Sequence, residues 1–169
     1  MIRNPFKAIL SFFRHEIHGV HSTSSFSLRK KSENIGVYYT DFFHEFASIQ
    51  IKKWRLIIED WITAENVMVV HYEDVVEDKV REIVRILFHL GIDKNLPRLE
   101  CFDFENLTFF RRKSKNLPHS PFSAILANEI WKNVEEVDVL LRKFDHKGIP
   151  FEKYEKIKTF ETVPISFEI

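Results

Sequence analysis

The stretch from Arg3 to Ser11 reads Arg-Asn-Pro-Phe-Lys-Ala-Ile-Leu-Ser, and it predicts the passage from a strand into a helix. The residues before it are interpreted as the end of the strand, and the Asn-Pro pair as a turn. Pro5 suits the first position of a helix, because a backbone N–H there would have no intrahelical acceptor. Hydrophobic side chains then recur at helical spacing, at Phe6, Ile9, Leu10 and Phe13.

This passage places Arg3 at the carboxyl end of a strand, and Ser11 about two turns into the helix that follows. Open α/β sheets bind their ligands at the carboxyl ends of strands. An arginine in that position, with backbone N–H groups and a hydroxyl nearby, is suited to bind a phosphate. When these residues are taken alone, a helix cap beside one solvated arginine is the simpler explanation.

The composition is that of an ordinary globular domain, with 44% hydrophobic and 30% charged residues in a chain of 169. Lys and Arg together number 25, as do Asp and Glu, so no overall charge favours nucleic acid or a membrane surface. Any anion site must therefore be local. The single cysteine, Cys101, excludes an intrachain disulfide.

Two long helices are predicted from apolar stripes. The first covers residues 41–62, with Asp41 as its N-cap. Its core-facing stripe is Phe43, Ala47, Ile51, Trp54, Ile58 and Trp61, where tryptophan is more typical of a core than of a sugar-stacking platform. The second helix is predicted to start at Ser120-Pro121, with the serine as cap and the proline at the first helical position. Its apolar face is Leu126, Ile130, Val134, Val137, Leu141 and Phe144.

Residues 67–70 form a continuous apolar run, which is typical of a strand covered on both faces in a parallel sheet. The next helix is marked by Val80, Ile83, Val84, Leu87 and Leu90, and Gly91 is predicted to end it in the left-handed conformation. Strand, acidic turn and helix together make half of a βαβ unit.

Residues 15–36 lack periodicity and are predicted to form a long surface loop. His15, His18 and His21 recur every third residue, a spacing that would suit a metal site on a helix. Gly19 and a serine-rich run argue against a helix, and no cysteine or close carboxylate pair completes a zinc ligand set. These histidines are interpreted as solvated, with substrate contact as the minor alternative, and no metal is expected.

The densest basic cluster comprises Arg111, Arg112, Lys113 and Lys115, in an irregular region that ends just before the last long helix. A cluster of charges is usually a solvated surface. Its position before a helix start would also let flexible basic side chains close over a phosphate. Beyond that helix, residues 151–169 are predicted to pack loosely.

Three stretches, in this order, resemble the sulfotransferase family. Arg-x-Pro followed by a serine eight residues after the arginine looks like the family's 3′-phosphate-binding segment. Residues 67–75, Val-Met-Val-Val-His-Tyr-Glu-Asp-Val, resemble its strand followed by Tyr-Glu-Asp-Leu. Phe110-Arg111-Arg112-Lys113, followed by Ser120-Pro121-Phe122-Ser123, resembles its late basic loop and last helix. Order and spacing are most similar to the sulfotransferase domain of WSC-domain-containing proteins.

The resemblance implies an α/β protein with an incomplete three-layer sulfotransferase fold, similar to P-loop NTPases. Such a chain would be mostly helical, with a short remnant of a parallel sheet. Residues 1–154 would be the C-terminal part of a sulfotransferase domain, and residues 155–169 a loosely packed tail. In that family the acidic turn is chiefly structural, so Glu73 and Asp74 are not expected to be a catalytic pair.

The implied activity is transfer of sulfate from 3′-phosphoadenosine 5′-phosphosulfate to a hydroxyl of a carbohydrate or glycoprotein. Arg3 and Ser11 would hold the 3′-phosphate, and Arg111, Arg112 and Lys113 would close over the nucleotide. The family has a glycine after this basic pair, whereas Ser114 stands here, so side-chain contacts are expected rather than backbone ones.

The family's glycine-rich loop for the 5′-phosphosulfate has no counterpart among the four glycines of this chain. The chain alone is therefore expected to be inactive, because the donors that stabilise the transferring group are missing. A non-enzymatic binding module derived from a sulfotransferase and a fragment of a longer enzyme are the alternatives. Full-length relatives are expected in the Golgi membrane or lumen. The sequence shows no signal, anchor or transmembrane run, so this chain alone is expected to be soluble and cytoplasmic.

Overall fold

A computed structural model of the chain describes residues 1–18, 35–92 and 120–154, and these residues are mostly helical. The basic cluster Arg111–Lys113, together with Cys101 and His21, lies outside the described residues. The helices are α1 (Pro5–His18), a 3₁₀ helix (Ile35–Tyr39), α2 (Asp41–Ile62), α3 (Tyr72–Glu77), α4 (Lys79–His89), α5 (Ala124–Lys143) and α6 (Phe151–Tyr154).

The core is built on the pairing of α2 with α5. The Ser48 hydroxyl donates to the Glu129 carboxylate at 2.8 Å and Arg55 pairs with Glu136, so the two helices run in the same direction. The predicted apolar stripes meet in this core over most of their length and confirm both helices, but Phe144 is the C-cap of α5 and is 38% exposed. Their fully buried members are Phe43, Ala47 and Ile51 of α2, with Ile130, Val134, Val137 and Leu141 of α5.

The predicted core position of Trp61 is wrong, because this side chain is 68% exposed. In the register of the Arg55–Glu136 pair, the last turn of α2 lies beside the end of α5 at Lys143. The indole therefore remains in solvent, whereas Trp54, lying earlier in α2, packs against the core as predicted.

A cluster of phenylalanine rings holds α1 against the α2–α5 pair. Ring centroids are 4.8 Å apart for Phe13 and Phe43, 5.1 Å for Phe6 and Phe122, and 5.4 Å for Phe43 and Phe122. All three contacts are edge-to-face, which is a favoured geometry for aromatic pairs. The cluster fixes α1, and with it the residues that precede α1.

Both predicted helix starts need correction. The N-cap of α2 is Thr40, and its hydroxyl donates to the Val37 carbonyl, so Asp41 is already in the first turn. Helix α5 begins after Ser123, whose hydroxyl accepts the Leu126 N–H at 3.3 Å. Ser120 instead accepts the Phe122 N–H, in the turn that lets Phe122 reach the core.

Helix α1 extends to His18, so the predicted loop cannot begin at His15. Contacts with the 3₁₀ helix support its last turns, because Phe13 packs on Tyr38 and the Arg14 Nε donates to the Tyr38 hydroxyl at 3.2 Å. The His15 imidazole is on the exposed part of α1, next to Glu16.

Residues 67–70, which are predicted to form a strand, do not form one. The pairing in this part of the described chain is a single parallel bridge between Ile2 and His71, and α3 begins at the next residue, Tyr72. Parallel pairing of the two predicted strand ends is thus present in its smallest form.

Helix α4 ends as predicted at Gly91, which has a φ of +67°. The predicted apolar face is only partly covered, since Val80 is 46% and Leu90 62% exposed. The buried side chain of α4 is instead Glu82, which accepts a hydrogen bond from Arg85 at 2.6 Å. Arg85 also donates to the Val69 carbonyl, and so ties α4 to the segment before the bridge.

The prediction of loose packing is wrong for residues 151–154, which form α6 and bury Tyr154 completely. Residues 155–169 lie outside the described part. None of the helices in the described residues is long and apolar enough to cross a membrane.

Gly148 holds a position where a side chain does not fit. A Cβ there would clash with Asp138 Oδ1, and that oxygen accepts the Ile149 N–H at 2.7 Å. Asp138 is also held by Arg142, so the carboxylate cannot move without losing a contact. Because Gly148 has no Cβ, the chain that follows α5 can pack closely against that helix.

We expect Gly148→Ala to lower the free energy of unfolding by about 1–3 kcal/mol, measured by urea denaturation followed by circular dichroism. The reason is that the new methyl group displaces the Asp138 carboxylate. In an Asp138→Ala background the same substitution should cost much less, because the clashing oxygen is gone and the Arg142 guanidinium, which also lies close to the new Cβ, is no longer held in place by Asp138. Equal costs in the two backgrounds would contradict this explanation.

Candidate functional site

The candidate site starts from the parallel bridge that joins the beginning of the chain to the segment before α3. The Ile2 N–H donates to the Val70 carbonyl at 2.8 Å, and the Tyr72 N–H donates to the Ile2 carbonyl at 2.7 Å. Arg3 and Tyr72 therefore leave the bridge side by side, each one residue past its paired position.

Asn4 turns the chain from this bridge into α1. Its side-chain Oδ1 accepts the Phe6 N–H at 3.0 Å, and its carbonyl accepts the Ala8 N–H at 3.0 Å. Its own N–H donates to Glu73 Oε1 at 3.1 Å. The predicted turn, with Pro5 at the first helical position, is confirmed. A carboxylate of α3 thus orients the start of α1.

Arg3 is held by an aromatic ring. Its guanidinium carbon lies 4.6 Å from the centroid of the Tyr72 ring, which is cation–π geometry. No carboxylate in the described part of the chain forms an ion pair with Arg3, and its Nε is buried without a hydrogen-bond partner. A half-buried positive charge without an ion pair in the described residues therefore stands at the end of the bridge.

Ser11 is exposed on α1 and, with Lys7 one turn before it, lies on the helix face away from the core. It follows Pro5 by six residues, which is about 9 Å along the helix axis. Arg3 and Ser11 make no hydrogen bond with each other. Of the five residues predicted to bind the donor, these two are described, and Arg111, Arg112 and Lys113 are not.

Two lysines neutralise Asp74 and Glu77 of α3. Asp74 accepts hydrogen bonds from Lys147 at 2.6 Å and Lys153 at 2.5 Å, and Lys153 also pairs with Glu77. Burial raises the pKa of Asp74, but the hydrogen bonds from the two lysines outweigh burial and lower the pKa overall. The hydrogen bonds from Asp74 and Glu77 raise the pKa of Lys153. These ion pairs tie α3 to the chain after α5, and the structural role of this turn stays a prediction.

His71, the bridge residue just before α3, is fully buried. Its Nε2 contacts the Lys147 carbonyl at 3.2 Å, and because a carbonyl only accepts, Nε2 carries the proton. Burial is the main cause that lowers the pKa of His71, so the ring is neutral. Tyr154 is also fully buried, and burial, reinforced by the charges of Glu73 and Asp74, raises the pKa of its hydroxyl.

Sequence reasoning missed the residues that hold the start of α3 in place. The Tyr-Glu-Asp motif gave a local signal for Tyr72, since a tyrosine at the end of the second segment would lie beside Arg3. Nothing local pointed to Lys147 and Lys153, which are separated from Asp74 by 73 and 79 residues.

We expect Asp74→Asn to lower the free energy of unfolding at neutral pH by about 1–3 kcal/mol, because two charge-assisted hydrogen bonds are weakened. The folded-state pKa of Asp74 lies below its ordinary value of 3.8. Its carboxylate therefore stabilises the fold fully above that pH, and the contribution is lost as the pH falls through the lowered pKa.

Urea denaturation at neutral pH and at about pH 3 measures this effect, and the difference between the original chain and the variant should shrink in acid. Asp60→Asn is the matched control, because Asp60 is exposed and has no ion pair with a described residue. A difference for Asp74→Asn that stays constant with pH would contradict the assigned ion pairs.

Comparison with known proteins agrees with the resemblance seen in the sequence. The family described as the sulfotransferase domain matches residues 1–158. A WSCD family member, GA21586, from Drosophila pseudoobscura pseudoobscura is 25% identical over 148 residues, which cover 86% of this chain and 45% of that protein. The WSCD family member CG9164 from Drosophila melanogaster is 25% identical over 132 residues, covering 77% of this chain and 40% of that protein.

The chain spans less than half the length of these curated relatives. No solved structure gave a significant match. The family match extends over most of the chain and includes the bridge, α1, α3 and the lysines that pair with Asp74. This chain therefore belongs to the sulfotransferase domain family.

Proposed function

We propose that this chain supplies the 3′-phosphate part of a binding site for 3′-phosphoadenosine 5′-phosphosulfate. The observation that carries the proposal is Arg3, a guanidinium without an ion pair in the described residues that stacks on the Tyr72 ring at the end of a parallel bridge. A guanidinium presents several N–H donors in one plane and binds phosphate oxygens in pairs. Stacking on an aromatic ring reduces the freedom that the side chain would lose on binding.

In the proposed complex, the 3′-phosphate lies between Arg3 and α1. Arg3 donates two hydrogen bonds to it, and the exposed Ser11 hydroxyl donates a third from the helix. Arg111, Arg112 and Lys113 close over the nucleotide from the segment before α5. The support for Arg3 and Ser11 is their position around the start of α1, and the support for the basic cluster is the sequence resemblance.

The whole protein is proposed to transfer a sulfuryl group from the donor to a hydroxyl of a carbohydrate or glycoprotein. The bond between sulfur and the bridging phosphate oxygen breaks, and a bond between sulfur and the acceptor oxygen forms. The hydroxyl proton leaves to a base, and adenosine 3′,5′-bisphosphate is released. No residue of this chain is assigned as that base. This chain is assigned the binding and orientation of the donor through its 3′-phosphate.

We also propose that the bridge between Ile2 and His71 is part of the parallel sheet of a three-layer fold similar to P-loop NTPases. Residues 1–154 would then form the C-terminal part of the sulfotransferase domain, with residues 155–169 as a tail. The parallel direction of the bridge and the helices that follow both of its segments support this assignment.

Calorimetric titration tests the 3′-phosphate site directly. The chain should bind adenosine 3′,5′-bisphosphate more tightly than adenosine 5′-monophosphate, because only the former carries the 3′ group. Arg3→Ala should weaken binding of the bisphosphate by roughly tenfold or more, since a charge-assisted hydrogen bond contributes about 1.5–3 kcal/mol. Binding of the monophosphate should hardly change.

Arg3→Lys should restore part of the loss, because it keeps the charge without the paired donors. Arg81→Ala is the matched control, since Arg81 is an exposed arginine on α4, outside the proposed site. Equal affinity of the original chain for the two nucleotides would contradict a 3′-phosphate site. So would an equal loss of affinity in Arg3→Ala and Arg81→Ala.

A further inference from the structure

Helix α2 has a second apolar stripe on the side away from α5, where Phe42 also contacts the core through the ring of Phe13. Phe42, Ile49 and Leu56 follow one another at intervals of seven residues, so they lie on one face of the helix. They are 61%, 44% and 54% exposed. Ile57, beside this stripe, is 59% exposed. The surface formed by Phe42, Ile49 and Leu56 is called the outer face of α2.

The outer face continues onto α1 through Phe46. The rings of Phe12 and Phe46 are 5.5 Å apart, and the Phe12 side chain is 43% exposed. Exposed large side chains scattered singly need no explanation, whereas several that share one helix face are a candidate interaction surface. The stripe is apolar along about 21 Å of helix, from Phe42 to Leu56.

We propose that the outer face of α2 binds the same face of a second copy of this chain, with the two α2 helices antiparallel and Ile49 on the two-fold axis. In this arrangement, each residue lies opposite the residue equally far from Ile49 on the other side. Phe42 and Leu56 are both seven residues from Ile49, so each packs against the other's counterpart in the second copy. The pairing is self-complementary, as a two-fold interface requires.

The charges on α2 favour this partner and this direction. Glu45 and Lys53 are each four residues from Ile49, so the antiparallel register places them opposite each other twice. Both are exposed, and neither forms an ion pair with a described residue. Within one helix they are about 12 Å apart along the axis and do not meet. Neighbouring Lys52, by contrast, already has a partner in Glu129, at 3.5 Å.

A parallel pair in register would instead bring like charges together, Glu45 on Glu45 and Lys53 on Lys53. Charges that flank an apolar seam set the direction of helix pairs in this way. The area is limited, because stable complexes bury about 800 Å² per partner and one helix face with a single neighbouring ring supplies less. The dimer should therefore dissociate within a concentration range that solution methods reach.

Sedimentation velocity over a roughly hundredfold range of concentration tests the proposal. The mass should rise from that of the 20.2 kDa chain toward twice this value. Glu45→Lys and Lys53→Glu should each weaken association by about tenfold or more, because each places like charges opposite one another. The double variant should return to within about threefold of the original, since it exchanges the two charges and keeps their complementarity.

Disulfide formation tests the register in a Cys101→Ser background, which removes the single native cysteine. Ile49→Cys should cross-link on mild oxidation, because the two copies meet on the axis. Ile57→Cys is the matched control. Its two copies would lie about 24 Å apart along the helices, beyond the reach of a disulfide. Circular dichroism establishes that each variant is folded, and all four substituted positions on α2 are exposed.

A chain that stays monomeric at every concentration would overturn the proposal, and would mean that another part of a longer protein, or a different protein, covers the outer face. A dimer that neither single charge reversal weakens, or whose weakening the double variant does not reverse, would also overturn it. The same holds if Ile57→Cys cross-links as readily as Ile49→Cys.

Discussion

The candidate site depends most on one contact, the hydrogen bond from the Asn4 N–H to the buried Glu73 carboxylate. It joins segments 69 residues apart and fixes the chain just where it leaves the parallel bridge for α1. Because Asn4 also caps α1, Glu73 sets the direction in which that helix starts. The same corner places Arg3 over the Tyr72 ring, so the candidate anion site is a direct consequence of this contact.

Charge is distributed unequally around this corner. Asp74 is neutralised by Lys147 and Lys153, and His71 is kept neutral by burial, whereas Arg3 has no acidic partner in the described residues. Holding an arginine half-buried without a counter-ion costs free energy. Such a cost is expected where the arginine serves to bind an anion. This imbalance supports reading Arg3 as the binding group and the acidic residues of α3 as its structural support.

The parts of this arrangement that the sequence predicts are those with a local cause. The proline at residue 5 predicts the helix start, spacing of three and four residues predicts the stripes of α2 and α5, and Gly91 predicts the end of α4. The choice between Ser120 and Ser123 as a cap could not be predicted, because it depends on Phe122 reaching a core formed elsewhere. Lys147, Lys153 and Tyr154 act on α3 only through the fold, so nothing near them in the sequence indicates that role.

Helix α2 has two apolar faces with different roles. One packs on α5 and builds the core that positions α1, and the other is open to solvent and carries the complementary pair Glu45 and Lys53. Association through the outer face does not use Arg3 or Tyr72, because the two surfaces use different residues. The two proposals about this chain therefore stand or fall separately.

The most direct test of the central claim is a crystal structure of the chain with adenosine 3′,5′-bisphosphate. The account predicts that the 3′-phosphate lies within hydrogen-bond distance of the Arg3 guanidinium and the Ser11 hydroxyl, with Arg3 still stacked on Tyr72. A nucleotide whose 3′-phosphate lies away from Arg3, or is held by other basic residues while Arg3 pairs with a carboxylate of the chain, would contradict it.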